Sequence, residues 1–253
     1  MKIAAQLYTL RDYLQTAEDI DNTLQKVKKI GYDAVQVSGL GPIDPQDLKK
    51  IVDKEGLTIC ATHIGLERMK NDLEGVINDH KLWGCKYVGL GSMPNEYRAD
   101  KESYIKFAKE ASEIARSLKE NDLQFVYHNH NFEFRKFGDK TGMDILFEES
   151  DPEVFDFELD TYWVQAGGAD PVQWIKKLAG RMKVVHFKDM LISPEIEQRF
   201  AEIGEGNLNW PAIIEACKEI GVEWCPVEQD NCYEKDPFES LKISFENLNK
   251  MDL

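Results

Sequence analysis

Two hydrophobic patterns alternate along the chain. Short, nearly unbroken apolar runs lie at residues 2–8, 33–37, 57–62, 86–90, 123–129, 154–159, 182–187 and 223–227. Runs without polar alternation read as strands covered on both faces, as in a parallel sheet. Between them, apolar residues recur every three or four positions, the spacing of an amphipathic helix. Ile20, Leu24, Val27 and Ile30 form one such stripe over residues 18–30, with Gly31 as its stop. Asp44 and Pro45 open a helix over residues 45–54. Further helices are predicted over residues 71–83, 100–120, 143–149 and 170–179. Ile213, Ile214, Cys217 and Ile220 mark the inner face of the seventh, and Phe238, Leu241, Phe245 and Leu248 that of the eighth. The longest stretch without a regular pattern, residues 188–209, reads as an irregular connection, with Gly204-Glu205-Gly206 as a turn or lid.

Eight strand-then-helix units predict an α/β protein with a single (β/α)8 TIM barrel spanning residues 1–253. An open doubly wound sheet is the alternative, but no Gly-x-Gly-x-x-Gly follows the first strand. An apolar content of 42% supports one large core. The net charge of −15 argues against binding to a nucleic-acid backbone. No apolar run approaches the roughly 20 residues of a membrane span, and charged Arg11 and Asp12 follow the N-terminal run too soon for a signal peptide. Five cysteines without a Cys-x-x-Cys pair read as free thiols, so a cytoplasmic protein is expected.

In such a barrel the C-terminal strand ends face one shared pocket. Those ends carry Gln6 and Tyr8, Gln36, His63, His128 with His130 and Glu133, Glu158 with Asp160, His186 with Lys188 and Asp189, and Glu228 with Asp230. Only five histidines exist in the chain, and two fall in Tyr127-His128-Asn129-His130-Asn131-Phe132-Glu133-Phe134. Taken singly, each residue has a plainer reading. His186 can be a packed histidine, Asp160 a helix N-cap, Glu228 part of a solvated loop and His63 a pocket wall. Their recurrence at one point of the repeating unit favours a shared site. A mixed histidine and carboxylate shell suits Mn, Co, Zn, Fe or Mg and disfavours Ca. Such an ion polarises a carbonyl and acidifies the neighbouring C–H or O–H of a sugar.

The stretches Gln6-Leu7-Tyr8-Thr9-Leu10-Arg11, His128-Asn129-His130-Asn131-Phe132-Glu133-Phe134, Leu159-Asp160-Thr161-Tyr162-Trp163, Gly204-Glu205-Gly206-Asn207-Leu208-Asn209-Trp210 and Val227-Glu228-Gln229-Asp230 carry a resemblance over nearly the whole chain. The sequence resembles the xylose isomerase-like barrel superfamily, in its sugar phosphate isomerase/epimerase branch. That group includes ketose 3-epimerases, hydroxypyruvate isomerase, inosose dehydratase, endonuclease IV and enzymes that cleave 3-keto-glycosides. The resemblance implies one divalent metal held by Glu, Asp, His and Glu. Asp160, His186 and Glu228 match the last three. His128, with Asn131 three positions on, stands where many members have Glu.

That exchange favours Mn, Co, Zn or Fe over Mg. It also removes one of the two carboxylates that serve the family's epimerases as an acid–base pair. His130 with Glu228 is then expected to move the proton. Glu133 orients His130 or binds a substrate hydroxyl, and Lys188 is an electrophile or a partner of Asp189. Tyr8, His63 and Gln36 are expected to contact a small sugar or sugar derivative. The function implied is a keto-sugar isomerase or epimerase. A dehydratase or lyase of the inosose or 3-keto-glycoside type is the alternative. A non-catalytic sugar-binding barrel and an endonuclease IV-like nuclease rank lower, the latter because its three zinc ions need more histidines than the chain has. A homo-oligomer is compatible with the sequence.

Overall fold

The computed structural model describes residues 1–251. Eight parallel strands close into one barrel in chain order: β1 (Lys2–Gln6), β2 (Ala34–Val37), β3 (Thr58–His63), β4 (Tyr87–Leu90), β5 (Gln124–His128), β6 (Phe155–Asp160), β7 (Val184–His186) and β8 (Trp224–Val227). Closure runs through β1 and β8, with Ala4 opposite Pro226 and Ala5 opposite Val227. The expected (β/α)8 architecture is the observed one.

Side chains on a strand alternate faces, and this period builds the site. Ala4, Ala34, Ala61, Val126 and Val184 belong to an apolar cluster with Cys60 and Tyr87 inside the barrel. Two residues further along each of those five strands, on the same face, stand Gln6, Gln36, His63, His128 and His186. The barrel therefore has an apolar lower layer and a polar upper one. A second, larger core lies outside, between the strands and the surrounding helices, and includes Phe107, Phe125, Phe155 and Phe157.

The helix ends follow local chemistry. The helix Ala17–Ile30 starts in a capping box, with the Thr16 side chain accepting from Asp19 N and the Asp19 side chain accepting from Thr16 N. Asp44 caps Pro45–Lys54 through Gln46 N. The helix expected over residues 71–83 is present as Leu73–Trp83, and a short helix that was not expected, Leu66–Asn71, precedes it. Asp72 separates the two and caps Leu73–Trp83 through Gly75 N. The first strand is shorter than its apolar run. Gln6 accepts from Tyr8 N and turns the chain into a 3-10 helix, Leu7–Tyr13, so Tyr8 is not on a strand.

Residues 188–209 hold more order than expected. Asp189–Ile192 and Gln198–Ala201 pair as an antiparallel hairpin. Its anchor is the buried Asp189 carboxylate, which accepts from Gly204 N at 2.9 Å, Gly206 N at 3.2 Å, Leu208 N at 3.3 Å and Trp210 Nε1 at 2.6 Å. A Cβ on Gly206 would lie 2.3 Å from Asp189 Oδ1, so glycine is required there. The Gly204-Glu205-Gly206 turn thus wraps a carboxylate of the chain itself. Replacing Asp189 by Asn should cost on the order of 3 kcal/mol, because several donors lose a charged acceptor. Urea unfolding at neutral pH measures this.

His80, the fifth histidine, is fully buried behind β3 rather than in the pocket. Its Nδ1 faces Val76 O, which can only accept, so Nδ1 carries the hydrogen and Nε2 accepts from Thr62 Oγ1 at 2.7 Å. Burial pushes its pKa down from 6.5 to about 4. Below pH 6.5 the unfolded chain gains a proton that the folded chain refuses. Stability from this group is complete above pH 6.5 and falls by up to about 3 kcal/mol as the pH drops to 4. Urea unfolding across that window should show a shallower pH slope in His80→Gln than in the wild-type chain.

Candidate active site

At the C-terminal mouth of the barrel, four side chains from successive strands converge. One donor atom each from His128, Asp160, His186 and Glu228 lies within 4.8 Å of the others, and all four residues are buried. His128 Nε2 is 3.2 Å from Asp160 Oδ2, and His186 Nδ1 is 3.1 Å from Glu228 Oε2 and 3.9 Å from Asp160 Oδ2. Hydrogen bonds decide which nitrogens are available. His128 Nδ1 lies 2.9 Å from Gly91 O, a pure acceptor, so the hydrogen sits on Nδ1 and Nε2 is left bare toward the centre. A side chain on Gly91 would run into His63, its Cβ 2.8 Å from Nδ1, which explains glycine at that close approach.

Asp160 serves two ends. Oδ1 accepts from Trp163 N at 2.9 Å and caps the short helix Thr161–Ala166, while Oδ2 faces the cluster. Its backbone N–H is held by Asn129 Oδ1. The N-cap reading and the ligand reading of Asp160 are therefore compatible. His128 Nε2, two carboxylate oxygens and His186 Nδ1, which would give up its proton to an ion, form a donor set that fits one divalent ion of the first transition row.

Lys188 enters this cluster from the side. Its Nζ lies 2.8 Å from Asp230 Oδ2, 2.9 Å from Glu228 Oε2 and 3.3 Å from Asp160 Oδ2. Asp189 is not its partner. Burial works against its charge, but Asp160, Glu228 and Asp230 outweigh it and raise the pKa. Burial likewise opposes charge on Asp160, and Lys188 with His128 draws its pKa down. His186 is raised to about 10, since Glu158 and Glu228 overcome the penalty of burial. Asp230 is raised to about 6 by burial and by Glu228, against Lys188.

The remaining expected residues separate into two groups. Tyr8, His63, His128, His130, Lys188 and Glu228 line a cavity of about 640 Å³ above the cluster. Gln36 and Glu133 do not. Gln36 is fully buried beneath the pocket, with Oε1 2.6 Å from His186 Nε2 and Nε2 donating to Glu158 Oε1 at 2.8 Å. Glu133 is also fully buried, accepting from Tyr127 OH at 2.5 Å and from His130 N at 2.9 Å. It holds the His130 backbone and does not reach the cavity. β5 ends at His128, so His130 lies past the strand. Its ring packs on Phe132 and Trp163 at 5.6 and 5.3 Å, and burial with the nearby His128 and Lys188 pushes its pKa down to about 2.

Asp230, expected to face the pocket but given no role, lines the cavity, as do Arg11, Trp163 and Phe200, which were not singled out for the site. Phe200 comes from the hairpin after β7, which the apolar pattern does not announce. Trp163 follows Asp160 of the cluster on its capped helix, and Asp230 lies two residues past Glu228. Those two positions were the legible signals.

The sequence profile described as xylose isomerase-like TIM barrel matches residues 24–250. The chain belongs to this family. Among curated relatives, inosose dehydratase of Geobacillus kaustophilus is 27% identical over 195 residues, which cover 67% of this chain and 62% of that protein. The chain thus spans less than two thirds of that relative's length. Among solved structures, a sugar phosphate isomerase/epimerase from Parabacteroides distasonis superposes with a TM-score of 0.83 at 24% identity, covering 99% of this chain and 94% of the other. The probable 3-DHS dehydratase from Bacillus anthracis superposes with a TM-score of 0.75 at 15% identity, over 98% and 99% of the two chains. These relatives are named as enzymes of both reaction types, dehydratases and an isomerase/epimerase. No helix among the described residues is long and apolar enough to cross a membrane.

An ion at this cluster would need both His128 and His186. Elemental analysis should find one Mn, Co, Zn or Fe per wild-type chain and none in His128→Ala or His186→Ala. Retention in His128→Ala alone would move the β5 ligand elsewhere in the strand-end segment.

Proposed function

We propose that this protein is a divalent-metal-dependent enzyme that moves a proton beside the carbonyl of a sugar or sugar derivative. The observation that carries this reading is the convergence of His128, Asp160, His186 and Glu228 with Lys188 at the barrel mouth, where His128, Lys188 and Glu228 line one cavity and Asp160 and His186 are buried against it. A divalent ion held by those four residues supplies Lewis-acid activation of a carbonyl and its neighbouring hydroxyl.

The chain's own groups do the rest. Lys188, kept charged among three carboxylates, donates a hydrogen bond to the substrate oxygen on which charge develops. Asp230 lies outside the ligand set, lines the cavity and is fixed by Lys188, so it is placed to move the proton at the adjacent carbon. Trp163 and Phe200 lie 5.3 and 5.2 Å from Lys188 Nζ and form an apolar wall that limits water beside it.

Elimination of water is the outcome we favour. Asp230 takes the proton from the carbon and returns it to the neighbouring hydroxyl, whose C–O bond breaks as the C=C bond forms, so that water leaves. Epimerisation needs a proton-transfer group on each face of the carbon. Lys188 and Asp230 sit together beside β7 and β8, whereas His63 on β3 is already bonded to Glu158 at 2.7 Å. The dehydratases among the relatives agree with one-sided chemistry. Isomerisation or epimerisation is the second reading, favoured by His130, whose ring lines the cavity 4.9 Å from that of His128. There His130 and Glu228 form the proton-moving pair. The location of the protein is read as cytoplasmic from its free cysteines, four of them buried.

A panel of keto-cyclitols, keto-sugars and 3-keto-glycosides, assayed with the metal-loaded protein, tests the reading by product mass. A product lighter by one water supports dehydration. An unchanged mass supports isomerisation. A chain that takes up no metal and turns over none of the panel leaves a sugar-binding barrel. Lys188→Met should lower kcat by about 10²–10³-fold while one metal per chain is retained.

A further inference from the structure

Glu158 lies outside the four-residue ligand set and does not line the cavity, yet it is fully buried directly beneath both. A buried carboxylate is expensive to keep unless every lone pair is used. Here they are used on the histidines of the site. Oε2 is 2.7 Å from His63 Nε2. Oε1 is 3.3 Å from His186 Nε2 and also accepts from Gln36 Nε2 at 2.8 Å. Gln36 Oε1 is 2.6 Å from the same His186 nitrogen. His186 Nε2 therefore faces two acceptors and no donor. The hydrogen must sit there, and Nδ1 is the nitrogen directed at Glu228 and Asp160.

We propose that Glu158 is a positioning residue for the metal. It orients the Gln36 amide, whose Oε1 accepts from His186 Nε2, and adds its own charge 3.3 Å from that nitrogen, so that Nδ1 is presented to the ion, and through His63 it ties the pocket wall to the same carboxylate. The inference rests on the metal reading of the four-residue centre. Carboxylates that orient a ligand histidine in this way typically govern metal affinity by about 10- to 100-fold.

His63, Glu158 and His186 also lie close enough together to hold a cation of their own. The hydrogen bonds argue against it. Both Nε2 atoms already meet Glu158, and an ion there would strip the hydrogen from His186 and leave its ring bridging two metals.

The test uses the full chain, stripped with a chelator and titrated with Co²⁺. Visible absorption gives the stoichiometry and ligand field, competition with a chelator gives the affinity, and circular dichroism of the metal-free form checks the fold. Wild type should bind one Co²⁺. Glu158→Gln should bind it about 10- to 100-fold more weakly with an altered visible band, and Glu158→Asp should fall between the two. If Glu158→Gln does not fold, Glu158→Asp decides. Wild-type affinity in a folded variant overturns the inference while leaving the four-residue centre standing. Two ions in wild type, one of them lost on substitution, make Glu158 a ligand and also overturn it. No ion in wild type removes the four-residue centre and this inference with it.

Discussion

The burial of opposite charges at the mouth of the barrel is the constraint on which the rest depends. Asp160, Glu158 and Glu228 are all buried, and so are His186 and Lys188. No one of these charges would be stable there alone. Each is held by others: Lys188 by three carboxylates, Glu158 by two histidines and Gln36, Asp160 by a helix start and Lys188. The barrel makes such crowding feasible because neighbouring strands present side chains a few ångströms apart at one level.

Below this polar layer the barrel is closed by small apolar side chains with Tyr87 among them. That plug keeps water from the underside of Glu158 and His186, so their charges are balanced by each other rather than by solvent. Above it, the cavity wall is assembled from loops. Asp189 gathers the segment after β7 by accepting from Gly204, Gly206, Leu208 and Trp210, and this anchors the hairpin that delivers Phe200. Lys188 and Asp189 are adjacent in sequence and divide the work: one side chain enters the site, the other builds the frame of the loop.

The fold was legible because strand burial on both faces leaves an unambiguous apolar run, repeated eight times. The residues of the four-member cluster were legible because they recur just past those runs. Local details were harder. The 3-10 turn after Gln6 continues an apolar run, so Tyr8 looked like strand. The short helix Leu66–Asn71 went unread because six residues are too few to show a helical period. The small hairpin Lys136–Phe137 with Lys140–Thr141 left no periodic signal in so few residues.

What the sequence alone determined was therefore the alternation of strands and helices, the closed barrel and the set of polar residues delivered to its mouth. These follow from periodicity, which is local. The tertiary structure decided which polar residues face the cavity and which support them. Gln36 and Glu158 lie beneath the pocket, Glu133 behind His130, and Asp230 beside Lys188. The reason is physical: the height of a side chain in the barrel depends on strand register and on partners more than a hundred residues away, such as Gln36 with His186 and Glu158. No spacing along the chain encodes those distances.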